Sequence, residues 1–128
     1  MNFDKDSPID DSEYLYRAFH FLEWSFKDNR PSSRLFYSRN SSLSVDRDGG
    51  RVDSEIIENF RQRDKYKSCG LVKHTARFYR ECETEPIPDP ETGNDYHALV
   101  NGKDMIGTKQ SHAKKLCKKF DLVIMAES

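Results

Sequence analysis

The sequence predicts an α+β domain, a small mixed or mostly antiparallel sheet packed with about three helices. Two stretches repeat apolar residues at helical spacing: Ile56, Ile57 and Phe60, then Ala113, Leu116, Cys117 and Phe120. LSVD at 43–46 alternates apolar and polar side chains as a half-buried strand does, and YHALV at 96–100 reads as a buried strand with one histidine inside the apolar run. Turn residues separate them, and the order reads β-β-β-α-α-β-α-β.

Residues 1–12 hold Asp4, Asp6, Asp10 and Asp11 and read as an acidic N-terminal arm, leaving 13–128 as one domain. In EYLYRAFHFLEWSF (13–26) the aromatic content favours β and the spacing favours α; a short strand over Leu15–Ala18 is expected, with the rest open. KDNRPSS (27–33) is a turn, RLFYSR (34–39) suits a strand, and Asp48-Gly49-Gly50 closes the LSVD strand. Asp53 or Ser54 can cap a helix running to Lys65, with Arg61, Arg63 and Lys65 complementing its dipole. A shorter helix is expected within Val72–Cys82, with Thr75 as a cap.

The prolines make Glu83–Pro90 extended, because each pushes its predecessor out of the α region. Residues 91–95 form a turn. The strand that follows puts Ala98 and Val100 on one face, His97 and Leu99 on the other. Thr108 or Ser111 caps the last helix, which exposes its lysines, and Leu122–Met125 closes the fold.

A net charge of −1 over 128 residues points to no global field for nucleic acid or membrane. Aromatics at 12% argue for a core rather than disorder. Three cysteines at wide spacing do not make a disulfide framework, and no run approaches a membrane span. A soluble cytoplasmic protein is expected.

Four groups of residues carry candidate chemistry. His97, on a strand beside Asp89 and Asp95, suits a general acid or base; the ordinary alternative is a core histidine with one backbone hydrogen bond. Arg17, Arg30, Ser32, Ser33 and Arg34 supply donors for a phosphate or carboxylate, with Asp46 pairing one of the arginines; the alternative is a solvated turn plus one structural ion pair. No glycine-rich phosphate loop supports the first. Cys69, His74 and Cys82 have irregular gaps for a metal, so buried thiols are expected, with no metal and no cofactor. Lys109, Lys114, Lys115 and Lys118 can meet a phosphate backbone, although an ordinary solvated lysine face is favoured over nucleic-acid binding.

YLYR, RPSS…F, LSVD, IPDP…YHALV and the late basic helix together resemble small bacterial proteins of similar length that carry no assigned activity. The resemblance runs from Tyr14 to the last helix through Arg17, Arg30, Ser32, Ser33, Asp46, Asp89 and His97. A second similarity is to the ADP-ribosyltransferase fold. Some members begin with an arginine on the first strand and place Ser and His or Glu on later strands, the order of Arg17, Ser32-Ser33 and His97 here. This chain lacks the expected catalytic glutamate and is short for that fold. With no complete catalytic set, an uneven distribution of charge and several polar turns, the first expectation is an accessory or adaptor protein of a bacterial multi-protein system, with a protein partner. The second is a small nucleotide- or phosphate-binding enzyme using Arg17, Ser33, Asp46 and His97, which requires those four to converge.

Overall fold

The structure, a computed structural model, describes residues 3–128; residues 1 and 2 of the expected arm lie outside the described residues. Eight strands form: β1 (Tyr14–Phe19), β2 (Trp24–Ser25), β3 (Arg30–Pro31), β4 (Leu43–Arg47), β5 (Gly70–Thr75), β6 (Thr84–Pro88), β7 (His97–Gly102) and β8 (Asp121–Ile124). Six build one antiparallel sheet in the order β6-β7-β4-β1-β5-β8, and β2-β3 is a separate two-stranded ribbon. Three α-helices accompany them: α1 (Asp53–Arg61), α2 (Ala76–Glu81) and α3 (Gln110–Lys118). The α+β class and the helix number are as the sequence predicts. No helix among the described residues is long and apolar enough to cross a membrane.

Strand alternation divides the core in two. Leu15, Phe19, Leu43, Val45, Val72, Ala98 and Val100 pack on one face with Ala113, Leu116 and Cys117 of α3. Tyr16 and Leu71 face the other way and pack under Ile56 and Phe60 of α1. The second cluster draws on β1, β5, β8 and α1 but on no residue of β4 or β7. The uncovered part of that face, beside α1, is where the candidate site lies.

Two expected elements differ. Residues 34–39 do not form a strand: Ser33–Phe36 is a 3-10 turn whose start is capped by the Ser32 hydroxyl, which accepts from Arg34 N at 3.3 Å. Only Leu35 and Phe36 of that turn are buried, so it anchors without joining the sheet. Within Val72–Cys82 the helix begins after Thr75, whose hydroxyl accepts from Phe78 N at 3.1 Å. The residues before it form β5, fixed by pairing with β1 along its whole length and with β8 on its other side. Tertiary pairing there overrides local pattern.

Two caps also differ. Val52 takes the N-cap of α1, which frees the Asp53 carboxylate to accept from Tyr16 Oη at 2.5 Å. Lys109 takes that of α3, where the His112 ring accepts from Lys109 N at 3.0 Å. The described part of the acidic segment lies on the domain. Ile9 is buried, and Arg80 donates to its carbonyl at 2.7 Å.

Candidate functional site

β1 and β4 pair only at Leu15↔Arg47 and Tyr16↔Asp46, whereas β1 stays paired with β5 to Phe19. Beyond Tyr16 the Arg17 guanidinium bridges the gap. Nη1 donates to the Ser44 carbonyl and Nε to the Leu35 carbonyl, each at 2.9 Å. A side chain thus takes a carbonyl that a ladder N–H would otherwise satisfy. Burial pulls the proton affinity of Arg17 down from the ordinary arginine value. Among the described residues its Nη2 donates to no protein group, and no carboxylate pairs with it.

A cleft of about 490 Å³ opens along this seam and the edge of α1, within the usual range for small-ligand sites. Arg17, Asp46 and His97 all line it. Asp46 is only 2% exposed and fully engaged: Arg63 Nη2 donates to Oδ2 at 2.8 Å, and Asn94 Nδ2 donates to Oδ1 at 3.1 Å. The expected partner was Arg17, Arg30 or Arg34. Asp46 instead turns to the α1 face, opposite the face of Leu43 and Val45, so the arginine just past α1 reaches it. Arg63 also lies over the Phe60 ring at 4.5 Å.

His97 opens β7 and is 7% exposed. Because Ala98 and Val100 enter the main core, its ring turns toward the cleft side. Nδ1 lies 3.0 Å from the carbonyl and 3.0 Å from Oδ2 of Asp89, and 3.4 Å from Glu91 Oε1. Asp89, not Asp95, orients the ring. Nδ1–H shared between the two Asp89 oxygens leaves Nε2 as the acceptor nitrogen, and Nε2 has no hydrogen bond among the described residues. Asp89, Glu91 and His97 also bring their donor atoms within 4.8 Å of one another and could ligate a cation. The two Asp89 contacts suit a hydrogen bond from Nδ1–H, whereas Glu91 stands at ion-pair distance from the ring.

The expected four do not converge. Ser33 lines a separate groove with Arg30, Ser32, Lys114 and Lys118. The cause is the β2–β3 ribbon, which carries 30–33 toward α3. Lys109, at the N-cap of α3, and Lys115, on it, are exposed but line neither cavity.

Residues that sequence reasoning missed complete the cleft. Lys65 and Tyr66 follow α1 in the 3-10 turn Asp64–Tyr66. Lys65 Nζ lies 5.4 Å from the Tyr66 ring centre, and Tyr66 stands edge-on to Phe60 at 5.7 Å. In sequence Arg63 and Lys65 only complement a helix dipole. Their odd spacing after the last apolar residue of α1 is the one signal that they leave the helix. Compared with protein-family models, curated proteins and solved structures, the chain finds no significant match in any of the three.

Proposed function

We propose that this protein binds a small anionic ligand, bearing a phosphate or carboxylate, in the cleft beside α1, with His97 exchanging a proton with it. The observation that supports this is the distribution of charge. Arg17 and Lys65 have no carboxylate partner among the described residues, while the buried acid of the cleft is taken by Arg63 and Asn94. An entering anion therefore meets cationic donors on the Arg17 and Lys65 side of the cleft, with the exposed Glu91 carboxylate on the His97 side. Tyr66 and Phe60 add an apolar wall suited to a ring. A histidine with a carboxylate behind Nδ1 and a free Nε2 has the geometry of a general base.

A thermal-shift panel tests the reading, with NAD, nucleoside mono- and triphosphates, simple carboxylates, short RNA and DNA, and divalent metals. A ligand at about 100 times its Kd adds roughly 2.7 kcal/mol, which moves Tm by several degrees in a domain of this size. A phosphate- or carboxylate-bearing compound is expected to raise Tm in the natural protein and in Lys103→Glu, and to fail in Lys65→Glu. Silence across the panel, or a shift indifferent to Lys65→Glu, overturns the proposal.

A specific observation favours a second reading, the accessory or adaptor protein first expected from the sequence. Leu22 is 90% exposed and Phe26 61% exposed, both close to the β2–β3 ribbon. Large apolar side chains so exposed suit a protein partner. On this reading Leu22→Ser with Phe26→Ser keeps Tm and abolishes partner capture. Capture that survives the double change removes the patch as its cause.

A further inference from the structure

We infer a second, independent site: the groove between the β2–β3 ribbon and α3 binds a phosphomonoester dianion. It has a volume of about 440 Å³ and joins residues more than eighty positions apart. Three cations line it, Arg30 from β3 and Lys114 and Lys118 from one face of α3. Among the described residues none of the three has a carboxylate partner, although Arg47, Arg61, Arg63, Lys73 and Arg80 each have one. The groove's one acid, Asp28, is already in contact with Ser25: Ser25 Oγ donates to Oδ2 at 3.3 Å and accepts from Asp28 N at 3.2 Å. The Ser33 hydroxyl has no hydrogen bond among the described residues. The polar groups left open are thus an arginine fork, two ammonium groups and the hydroxyl donors of Ser33 and Ser32, the latter only accepting from Arg34 N.

That set defines the ligand by charge and by acceptors. Three cations against one engaged carboxylate call for more than one negative charge at a single concave point. A phosphodiester carries one charge and two free oxygens. A phosphomonoester carries about −1.5 to −2 at neutral pH and three acceptor oxygens. Arginine supplies the bidentate contact, the lysines act as point charges, and Ser33 donates the remaining hydrogen bond. A nucleic-acid backbone would use a row of cations along a track, but here they converge on one hollow.

The test is a titration of the full chain with inorganic phosphate at pH 7.5 and low salt, read by amide NMR shifts and calorimetry. The Ser33 and Arg30 amides should move. Lys114→Gln with Lys118→Gln, both exposed, should weaken binding at these amides at least tenfold, Ser33→Ala several-fold, and Lys103→Gln, exposed and remote from both cavities, not at all. A 5′-phosphorylated oligothymidylate should compete while its 5′-hydroxyl counterpart does not. Equal competition by both oligonucleotides would overturn the proposal in favour of backbone docking. Binding lost in Lys65→Gln but kept in the double lysine variant would place the phosphate in the other cleft. Absence of any shift at these amides overturns it outright.

Discussion

Glu13 and Arg47 meet fork to fork, with Nε to Oε2 at 2.6 Å and Nη2 to Oε1 at 2.9 Å. Arg47 is 1% exposed, and its remaining donors reach the carbonyls of Ser7 at 2.9 Å and Pro8 at 3.3 Å. One buried guanidinium therefore ties β4 to the N-terminal segment. Removing Glu13 alone strands a buried cation, which typically costs about 3–5 kcal/mol. Glu13→Ala should lower stability by that order in urea unfolding, and proteases should then cut within residues 5–12. Arg47→Met, which removes the charge and keeps much of the volume, should cost less. Equal losses in the two variants would count against a stranded charge as the cause.

His74 should make stability depend on pH. Its ring is buried among Phe36, Phe78 and Tyr79, and Nε2–H donates to the Leu116 carbonyl at 2.8 Å. Burial lowers its pKa from 6.5 to about 4; the Leu116 and Lys119 backbone and Asp121 pull the other way without offsetting it. The unfolded ring takes up a proton near pH 6.5, whereas the folded ring resists until about 4. Between those values the unfolded state holds more protons, so stability rises with pH. The contribution, on the order of 3 kcal/mol, is fully present above pH 6.5 and lost as pH falls toward 4. Urea unfolding of the natural protein and of His74→Phe at pH 7 and pH 4.5 reads it. The variant's loss over that interval should be smaller by this order, and parallel profiles would exclude His74.

Much of this fold was legible in the sequence, for a physical reason. α1 and α3 each bury one stripe, and β4 and β7 show a simple alternation over β4's first residues and around Ala98 and Val100. Their periodicity survives in the chain. β5 was not legible, because it pairs on both sides and buries Leu71, Val72 and His74 together, which erases the alternation. The site was half legible. Arg17, Asp46 and His97 stand out as polar residues inside apolar runs. The partners Arg63, Lys65 and Asn94 sit in polar stretches where nothing distinguishes them from solvated surface. Ser33 was grouped with Arg17 and His97 because no local pattern reveals which way the short β2–β3 ribbon folds back.

Thr108 stitches the 103–109 loop to the segment after the Ser33–Phe36 turn. Its hydroxyl donates to the Phe36 carbonyl at 2.6 Å and accepts from Ser38 N at 3.0 Å, and its own N–H donates to the Ser38 carbonyl at 2.7 Å. Gly107 makes the approach possible. It holds φ +88°, and a Cβ there would run into the Ser38 carbonyl oxygen. Thr108→Val removes a buried hydroxyl and leaves the Phe36 carbonyl unpaired, a loss of about 1–3 kcal/mol. Gly107→Ala should cost at least about 1 kcal/mol through backbone strain alone. Calorimetric Tm values check both. A neutral Gly107→Ala would mean that the loop does not hold this conformation in solution.

Asp46 should trade stability against anion affinity. Its carboxylate holds Arg63 on one side and Asn94 on the other, and so fixes the loop that leads into His97. Asp46→Asn keeps the shape and removes the charge. Breaking this pair should lower stability by a few kcal/mol in urea unfolding, since Arg63 is only partly exposed and loses its counter-charge. The same change frees Arg63 beside Arg17 and Lys65 and makes the cleft more positive by one unit. Whichever anion the panel identifies should then bind several-fold tighter, with a steeper loss of affinity as salt rises. Arg63→Gln is the counterpart. It too breaks the pair, but it leaves Asp46 without its cation and should weaken the anion's binding. Opposite effects of the two variants on affinity, together with a shared loss of stability, would separate the electrostatic role of this pair from its structural one. If both weaken binding equally, the pair serves only to hold the loop.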